Sequence, residues 1–331
     1  MIRKTLLLSA AIAASVLVPI TSSAATTVNP VNFCVAYDLG GPGDRSYNDA
    51  VLAGLTKAKK TFNFNFEGFI TDGSAVDREK RLRAMIAKGC SPILAVGSGY
   101  SNLLKNLALE FPNQQFSILN DASITSLNIT SLIFNDKQVG YLAGSAAARV
   151  SKSGKVALIS NSTNLDLESG FTLGAYAAKK KVKVTSKTAS TGLVEITKLL
   201  IAEGNDVIFV AITGSDNEIF NAVTKYNESK KKDAPEVGVI TIEPDQYLTV
   251  TPANQKYLLG AVTKRVDNAV LDLVTSAIKN QQITDILDPV QGIYGRKYGI
   301  TGGNIELSIW APKLLAFKAS IAVASRTAAK L

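Results

Sequence analysis

Asp38-Leu39-Gly40-Gly41-Pro42-Gly43-Asp44-Arg45-Ser46-Tyr47-Asn48-Asp49 joins two segments of different periodicity. Ahead of it, Val31 to Tyr37 is short, apolar and β-prone, the pattern of a buried strand. Behind it, Tyr47, Val51, Leu55 and Ala58 recur at helical spacing, and Ser46 with Asp49 has the form of a capping box. A strand, a Gly-rich turn and a capped helix put the turn at the carboxyl edge of a parallel sheet, where open α/β sheets bind ligands. Two carboxylates, an aromatic ring and an amide stand there, without a catalytic base. The glycine spacing is not that of a dinucleotide fingerprint, and Pro42 removes a backbone donor that a phosphate cradle uses.

The chain has 331 residues, enough for two domains, and is 46% hydrophobic against 19% charged, which marks it as globular. It has no histidine, so the commonest general base and the commonest metal ligand are both missing. No cofactor and no metal are expected. Arg3 and Lys4, the apolar run Leu6 to Ile20 and the small residues Thr21 to Ala25 form the pattern of a secretory signal peptide, residues 1–24, cut after Ala24. No cysteine sits at the cut, so a soluble periplasmic protein without a lipid anchor is expected. Cleavage lowers the formal charge of +9 by two. The remaining excess is dispersed, as in Lys179-Lys180-Lys181 and Lys230-Lys231-Lys232, without interleaved aromatics, and no nucleic-acid partner is expected. Cys34 falls in the first strand and Cys90 opens the third. Those strands are neighbours in one common doubly wound order, leaving a disulfide or two buried thiols open.

The spacing predicts a second strand over Phe62–Phe69 and a helix over Ser74–Ala87 with Val76, Leu82, Met85 and Ile86 inward. A third strand, Ile93–Val96, ends in Gly97-Ser98-Gly99-Tyr100. After a helix over Ser101–Phe111, strands follow at Gln115–Leu119, ending at Asn120-Asp121, and at Ser131–Phe134. A second unit repeats this organisation: helix Lys137–Val150, strand Lys155–Ser160, helix Leu167–Lys180, strand Lys183–Thr185, helix Val194–Glu203, strand Asp206–Ala211, helix Glu218–Glu228 and strand Val237–Ile242. Beyond it the spacing of Val262, Val266, Val270 and Leu273 predicts one helix over Leu258–Lys279. A turn-rich stretch, Pro289–Gly303, and a helix from about Ala311 complete the chain. Two similar α/β units suggest a clamshell with a cleft between two carboxyl edges.

Asp38-Leu39-Gly40-Gly41-x-x-Asp44-Arg45-Ser46-Tyr47-Asn48 resembles the opening motif of the basic membrane protein family, substrate-binding proteins of ABC transporters that include purine nucleoside receptors. The likeness continues in Asn120-Asp121-Ala122, in Gly140-Tyr141-Leu142-Ala143-Gly144, in Asp206-Val207-Ile208-Phe209, in Asp245-Gln246 and in Lys264-Arg265-Val266-Asp267. The resemblance implies a type I periplasmic-binding fold of two Rossmann-like lobes joined by three crossover segments. The first lobe is expected over 31–135 with about 250–284, the second over 136–249 with about 285–331. It also implies a small ligand closed between the lobes and a membrane permease as partner. By resemblance, Asp38 and Asn48 bond a base, Tyr47 stacks on it, Asp121 adds a polar contact, Gly214 lets a backbone amide approach, and Lys264 with Glu243 holds sugar hydroxyls. Asp44, Ser98, Phe171 and Asp245 are weaker candidates, with turn bracing, or core packing for Phe171, as the competing roles.

The chain departs from the nucleoside pattern in three places. Glu243 stands where an aspartate is usual, Ser186–Thr191 carries no aromatic for the ligand's other face, and Leu167 replaces a phenylalanine. The expectation is therefore a monomeric, non-enzymatic binding protein for a nucleoside or related small polar ligand. A sugar, a signalling molecule in a sensory role, and a nucleoside-processing enzyme are the alternatives.

Overall fold

In a computed structural model, which describes residues 31–212, 217–242 and 246–331, the segment ahead of Asp38 is strand β1, Asn32–Tyr37, buried at all but its first residue. It starts a parallel sheet with β2 (Asn65–Ile70), β3 (Ile93–Val96), β4 (Phe116–Leu119) and β5 (Ile129–Phe134). A second parallel sheet holds β6 (Lys155–Ser160), β7 (Lys183–Thr188), β8 (Val207–Ala211) and β9 (Gly238–Thr241). The remaining strands are β10 (Leu258–Lys264), β11 (Asp285–Asp288), β12 (Ile293–Tyr298) and β13 (Ile305–Ile309). The two sheets run β11-β12-β5-β4-β3-β1-β2 and β13-β10-β9-β8-β6-β7. Among the described residues, only the edge strands β11 and β13 pair antiparallel.

This order corrects the expected lobe boundaries. Residues 258–264 belong to the second sheet and 285–298 to the first, the reverse of the assignment from sequence. The long helix expected over Leu258–Lys279 is strand β10 followed by a helix at Val266–Ile278. Six of the seven residues of β10 are buried, so its apolar run is that of a strand covered on both faces, a pattern periodicity alone cannot tell from a buried helix. A Cβ at Gly260 would stand 2.2 Å from the Ser308 carbonyl oxygen, so β13 reaches β10 only because the residue is glycine. Val76, expected inward, is 80% exposed.

The chain crosses between the sheets three times: after β5, after β10 and after β12. The crossings are tied together by hydrogen bonds. Asn135 N–H donates to the Tyr298 carbonyl at 2.9 Å, Arg265 N–H to the Asn304 carbonyl at 2.9 Å, and Ile300 N–H to Gln138 Oε1 at 2.8 Å. The helices around them hold each lobe in register. Val266–Ile278 lies so close to the helix Tyr47–Lys59 that a Cβ on Gly54 would stand 2.7 Å from the Asp267 carbonyl oxygen.

The helices Asp136–Val150 and Leu165–Ala178 approach more closely still. Cβ atoms at Gly140, Gly144, Gly170 and Gly174 would lie 2.1, 1.9, 2.1 and 2.0 Å from backbone oxygens of the partner helix. Phe171, one of the weaker ligand candidates, is buried at this crossing and stacks on Phe209 with ring centroids 5.8 Å apart. It belongs to the core.

Cys34 and Cys90 form a disulfide, with Cα atoms 5.6 Å apart across the neighbouring β1 and β3. The bridge closes a loop with a sequence separation of 56, for which chain entropy alone gives roughly 4 kcal/mol. The double substitution Cys34→Ser/Cys90→Ser is expected to lower the thermal midpoint by several degrees. A reductant added to the unsubstituted protein should do the same. Superimposable melts with and without reductant would contradict a bridge that stabilises the fold.

Candidate functional site

A cavity of about 610 Å³ lies between the carboxyl ends of the two sheets. The first lobe contributes residues at or after the ends of β1, β3 and β4; Asp136 follows β5; the second lobe contributes residues at or after the end of β6, the last residues of β8 and β10, and Ile242 after β9. Both walls are turns, as a doubly wound sheet requires, and each turn is held by its own polar bonds.

The turn after β1 is braced from within. Asp44 accepts from the backbone N–H of Ser46, Asn48 and Asp49 at 2.8, 3.2 and 3.1 Å. Asp49 reaches back to the N–H of Gly43 and Arg45. The expected Ser46–Asp49 box is thus replaced by an aspartate two residues earlier, and Ser46 makes no side-chain cap bond. Arg45 has φ +51°, a left-handed turn that brings Asp44 over the helix end. The Arg45 guanidinium then crosses the cleft mouth and donates to the Leu248 carbonyl at 2.7 Å.

Asn48 is 2% exposed, and its amide is committed to the turn. Oδ1 accepts from Asp38 N–H at 3.1 Å, and Nδ2 donates to the Leu39 carbonyl at 3.3 Å. It lines the cavity while fixing the backbone of Asp38. Asp38 itself is ion-paired to Arg78 at 2.6 Å, a partner that sequence reasoning did not name. Arg78 projects from the helix Ala75–Ala87, donates a second bond to the Gly73 carbonyl, and covers the ring of Tyr100 at 5.1 Å. Burial pushes the Tyr100 phenol up to about 12, so its hydroxyl stays protonated and donates to the Tyr37 carbonyl at 2.6 Å. The loop Gly97-Ser98-Gly99 passes close beside this pair, and Gly97 has φ +92°, which favours glycine. A Cβ at Gly97 would stand 3.2 Å from Asp38 Oδ2, and one at Gly99 would stand 2.8 Å from the Arg78 guanidinium. Ser98 lines the cavity beside them.

Asp121 is not among the cavity-lining residues. Its carboxylate accepts from the Ser101 hydroxyl and from Ser123 N–H at 2.7 Å, the turn-capping role. The preceding residue, Asn120, takes the position in the wall. Its backbone is left-handed, φ +61°, which asparagine tolerates better than most residues.

Lys264, the last residue of β10, reaches across from the second lobe with only 6% of its side chain exposed. Nζ lies 2.7 Å from Asp136 Oδ1 and 3.3 Å from Asn120 Oδ1, and it also bonds Tyr47. Burial works against its charge, but Tyr47 and Asp136 outweigh burial and raise its pKa above that of an ordinary lysine. Asp136 opens the helix Asp136–Val150, and its Oδ2 accepts from Asn164 Nδ2 at 2.8 Å. Asn164 in turn caps the helix Leu165–Ala178 by accepting from Leu167 N–H at 3.0 Å. Lys264, Asp136 and Asn164 therefore form a chain of polar contacts through the cavity floor. Both carry a sequence signal: Asp136 stands in the first turn of its helix and Asn164 at the N-cap of the next, where helix ends need acceptors and negative charge.

Tyr47 is the one aromatic lining the cavity among the described residues. No residue of 186–191 lines it, and Leu167 does, buried, at the position noted for its missing ring. Gly214, Glu243 and Asp245 lie outside the described residues. Among the described residues there is no cluster of three or more His, Cys, Asp or Glu side chains that could hold a metal, and no helix is long and apolar enough to cross a membrane.

Residues 34–288 match the Bmp family, described as ABC transporter substrate-binding protein PnrA-like. The chain belongs to this family. Among curated relatives it is 30% identical over 260 residues to the CD4+ T-cell-stimulating antigen of Listeria monocytogenes, covering 72% of this chain and 71% of that protein. It is 25% identical over 257 residues to the ABC transporter nucleoside-binding protein BmpA of Lactococcus lactis, 72% of each chain. Among solved structures, a solute-binding protein of an ABC transporter system from Aeropyrum pernix superimposes with a TM-score of 0.65 at 19% identity, covering 89% of this chain and 80% of that one. A transcriptional activator of the comK gene from Bacillus halodurans gives 0.68 at 17% identity, covering 89% and 98%. At such identities the structural likeness concerns the fold, two α/β lobes around a cleft. The expected family and fold class stand, and the protein is a substrate-binding member of an ABC transporter family.

Proposed function

We propose that the protein is a periplasmic receptor that captures a nucleoside, or a closely related small polar ligand, between its lobes and presents it to a membrane permease. The observation that carries this reading is the meeting of Tyr47 with Lys264 and Asp136 in one cavity. A ring face there suits a base, worth on the order of 1–3 kcal/mol per stacked base. An ammonium beside a carboxylate suits sugar hydroxyls, which donate and accept at once. The cavity's 610 Å³ falls within the roughly 300–1,000 Å³ of small-molecule sites. The Lactococcus relative named for nucleoside binding supports the same ligand class.

In this reading the first lobe engages the ligand through Asp38 and Tyr47, and Lys264 brings the second lobe over it. Closure is a population shift, favoured because the ligand bonds both lobes only in the closed form. The Arg45 contact to Leu248 spans the cleft and adds to that form. By the family resemblance, Gly214, Glu243 and Asp245 are further proposed ligand contacts. Residues 1–24 act as the export signal, and the mature protein works as a monomer without enzymatic activity.

A sugar is the second reading, favoured by the polar run Ser160, Asn161, Ser162 and Asn164 and by the single lining aromatic. Mass spectrometry of ligand retained by the purified protein, with thermal-shift panels of nucleosides and sugars, separates the two. Stabilisation by nucleosides is expected; stabilisation by sugars alone would replace the nucleoside. Product formation on incubation with nucleosides would replace the receptor by an enzyme. Asp38→Asn keeps the shape of the side chain and removes its charge. It is expected to weaken ligand binding by about tenfold or more in calorimetry, the scale of one charge-assisted bond. Unchanged affinity would remove Asp38 from the contact set.

A further inference from the structure

The cavity carries ionisable side chains on both walls, yet each full charge among the described lining residues is already answered. Asp38 is paired with Arg78 from behind the wall. Asp44 is surrounded by three backbone N–H groups at a helix N-terminus. Lys264, the one cation lining the cavity among the described residues, has Asp136 at 2.7 Å. Asp136 is not a chance neighbour. Its two oxygens are divided between Lys264 and Asn164, and the helix it opens is locked to the next one by the glycine crossing. Its position is therefore set by backbone packing and not by the lysine.

We propose that Asp136 is a specificity-determining residue: by neutralising Lys264 it makes the cavity select uncharged, hydroxyl-bearing ligands and reject their phosphorylated forms. The proposal rests on the cavity being the ligand site. A buried lysine standing alone would be a strong site for phosphate, as a point charge with three donors. With a carboxylate fixed beside it, the ammonium offers directed donors without net charge. A ligand hydroxyl can replace the 3.3 Å contact to Asn120 and also donate to the Asp136 carboxylate. A phosphate at the same place would bring its own charges against that carboxylate in a desolvated cleft, where like-charge contacts are heavily penalised. Specificity then comes from a repulsive element that requires Asp136 and leaves the lysine donors in place.

The test compares the mature chain with Asp136→Asn by calorimetry, using inosine against inosine 5′-monophosphate and ribose against ribose 5-phosphate. The unsubstituted protein is expected to favour the neutral member of a pair by on the order of 100-fold, the scale of a desolvated like-charge contact. Asp136→Asn should narrow that gap by about tenfold or more, mainly by gaining affinity for the phosphate. Asp136→Glu, which keeps the charge, should preserve it. The inference is overturned if the unsubstituted protein binds the phosphate as tightly as its neutral partner. It is also overturned if Asp136→Asn weakens both members by the same factor, the result a merely structural role would give. Binding of the ribose pair without the inosine pair would remove the nucleoside reading while still reporting on Asp136.

Discussion

Gly144→Ala is expected to destabilise the protein more than any single-methyl addition elsewhere on the helix Asp136–Val150. The added Cβ would stand 1.9 Å from the Phe171 carbonyl oxygen and 3.0 Å from the Ala175 nitrogen, both backbone atoms that no rotamer change can move. The clash is reciprocal along the crossing, because Gly140 faces Leu167, Gly170 faces Lys137 and Gly174 faces Tyr141 at similar separations. Relief requires the two helices to part, and Phe171 and Leu167, both buried at the crossing, would lose contact with the core. Overpacking costs typically about 1–3 kcal/mol where side chains can yield; against two backbones the cost is expected at or above the top of that range. That is a large share of the roughly 5–15 kcal/mol by which domains are stable. Chemical denaturation of Gly144→Ala should show a loss of about 3 kcal/mol or more, and Gly144→Leu should yield no soluble folded protein. Ser169→Ala, on the exposed face of the partner helix, should change stability by less than about 0.5 kcal/mol. Equal melts for Gly144→Ala and Ser169→Ala would show that the helices are not packed backbone to backbone.

The same pair shows what the sequence discloses. Gly140 and Gly144, four apart in an alanine-rich helix, belong to the Gly-Tyr-Leu-Ala-Gly run that marks the family. Their partners Gly170 and Gly174 repeat the spacing in the next helix but read alone as weak points in it. Only the crossing explains both. The alternation of short apolar strands with amphipathic helices was enough to give two α/β lobes, because each lobe repeats one local pattern. The tail was not legible in that way. β10 has strand composition with helical spacing, and β12, within a turn-rich stretch, carries Gly295, whose close approach to Ser131 is a tertiary demand invisible in its neighbours. Hence the lobe assignments of 258–264 and 285–298 came out exchanged.

The candidate site was legible where side chain and backbone lie in one turn, as in Asp38, Asp44, Tyr47 and Asn48. It was not legible where a partner comes from another element. Arg78 lies 40 positions from Asp38, Asp136 lies 128 positions from Lys264, and neither pairing has a local signal. The sequence also could not tell Asp121 from Asn120. Both stand at the end of β4, and only the left-handed turn at Asn120 decides which one meets the cavity.

Lys264→Met tests the cavity floor most severely. Methionine keeps much of the length and apolar bulk of the lysine stem, so the volume at the end of β10 stays largely filled. What disappears is the ammonium, and Asp136 is left with its charge in a cleft where its side chain is only 22% exposed. Breaking a buried pair from one side costs about 3–5 kcal/mol, and water entering the cavity places this case at the low end, about 3 kcal/mol. The contacts to Tyr47 and Asn120 are lost with it, so the lobes lose a bridge as well as a charge pair. Ligand affinity is expected to fall by on the order of 100-fold or more, since lysine donors and closure fail together. The double variant Lys264→Met/Asp136→Leu removes both charges and should recover most of the lost stability while remaining unable to bind ligand. If Lys264→Met alone melts like the unsubstituted protein, the lysine is not held by Asp136 in a desolvated site. If the double variant binds ligand normally, the floor of the cavity is structural and recognition resides with Asp38 and Tyr47.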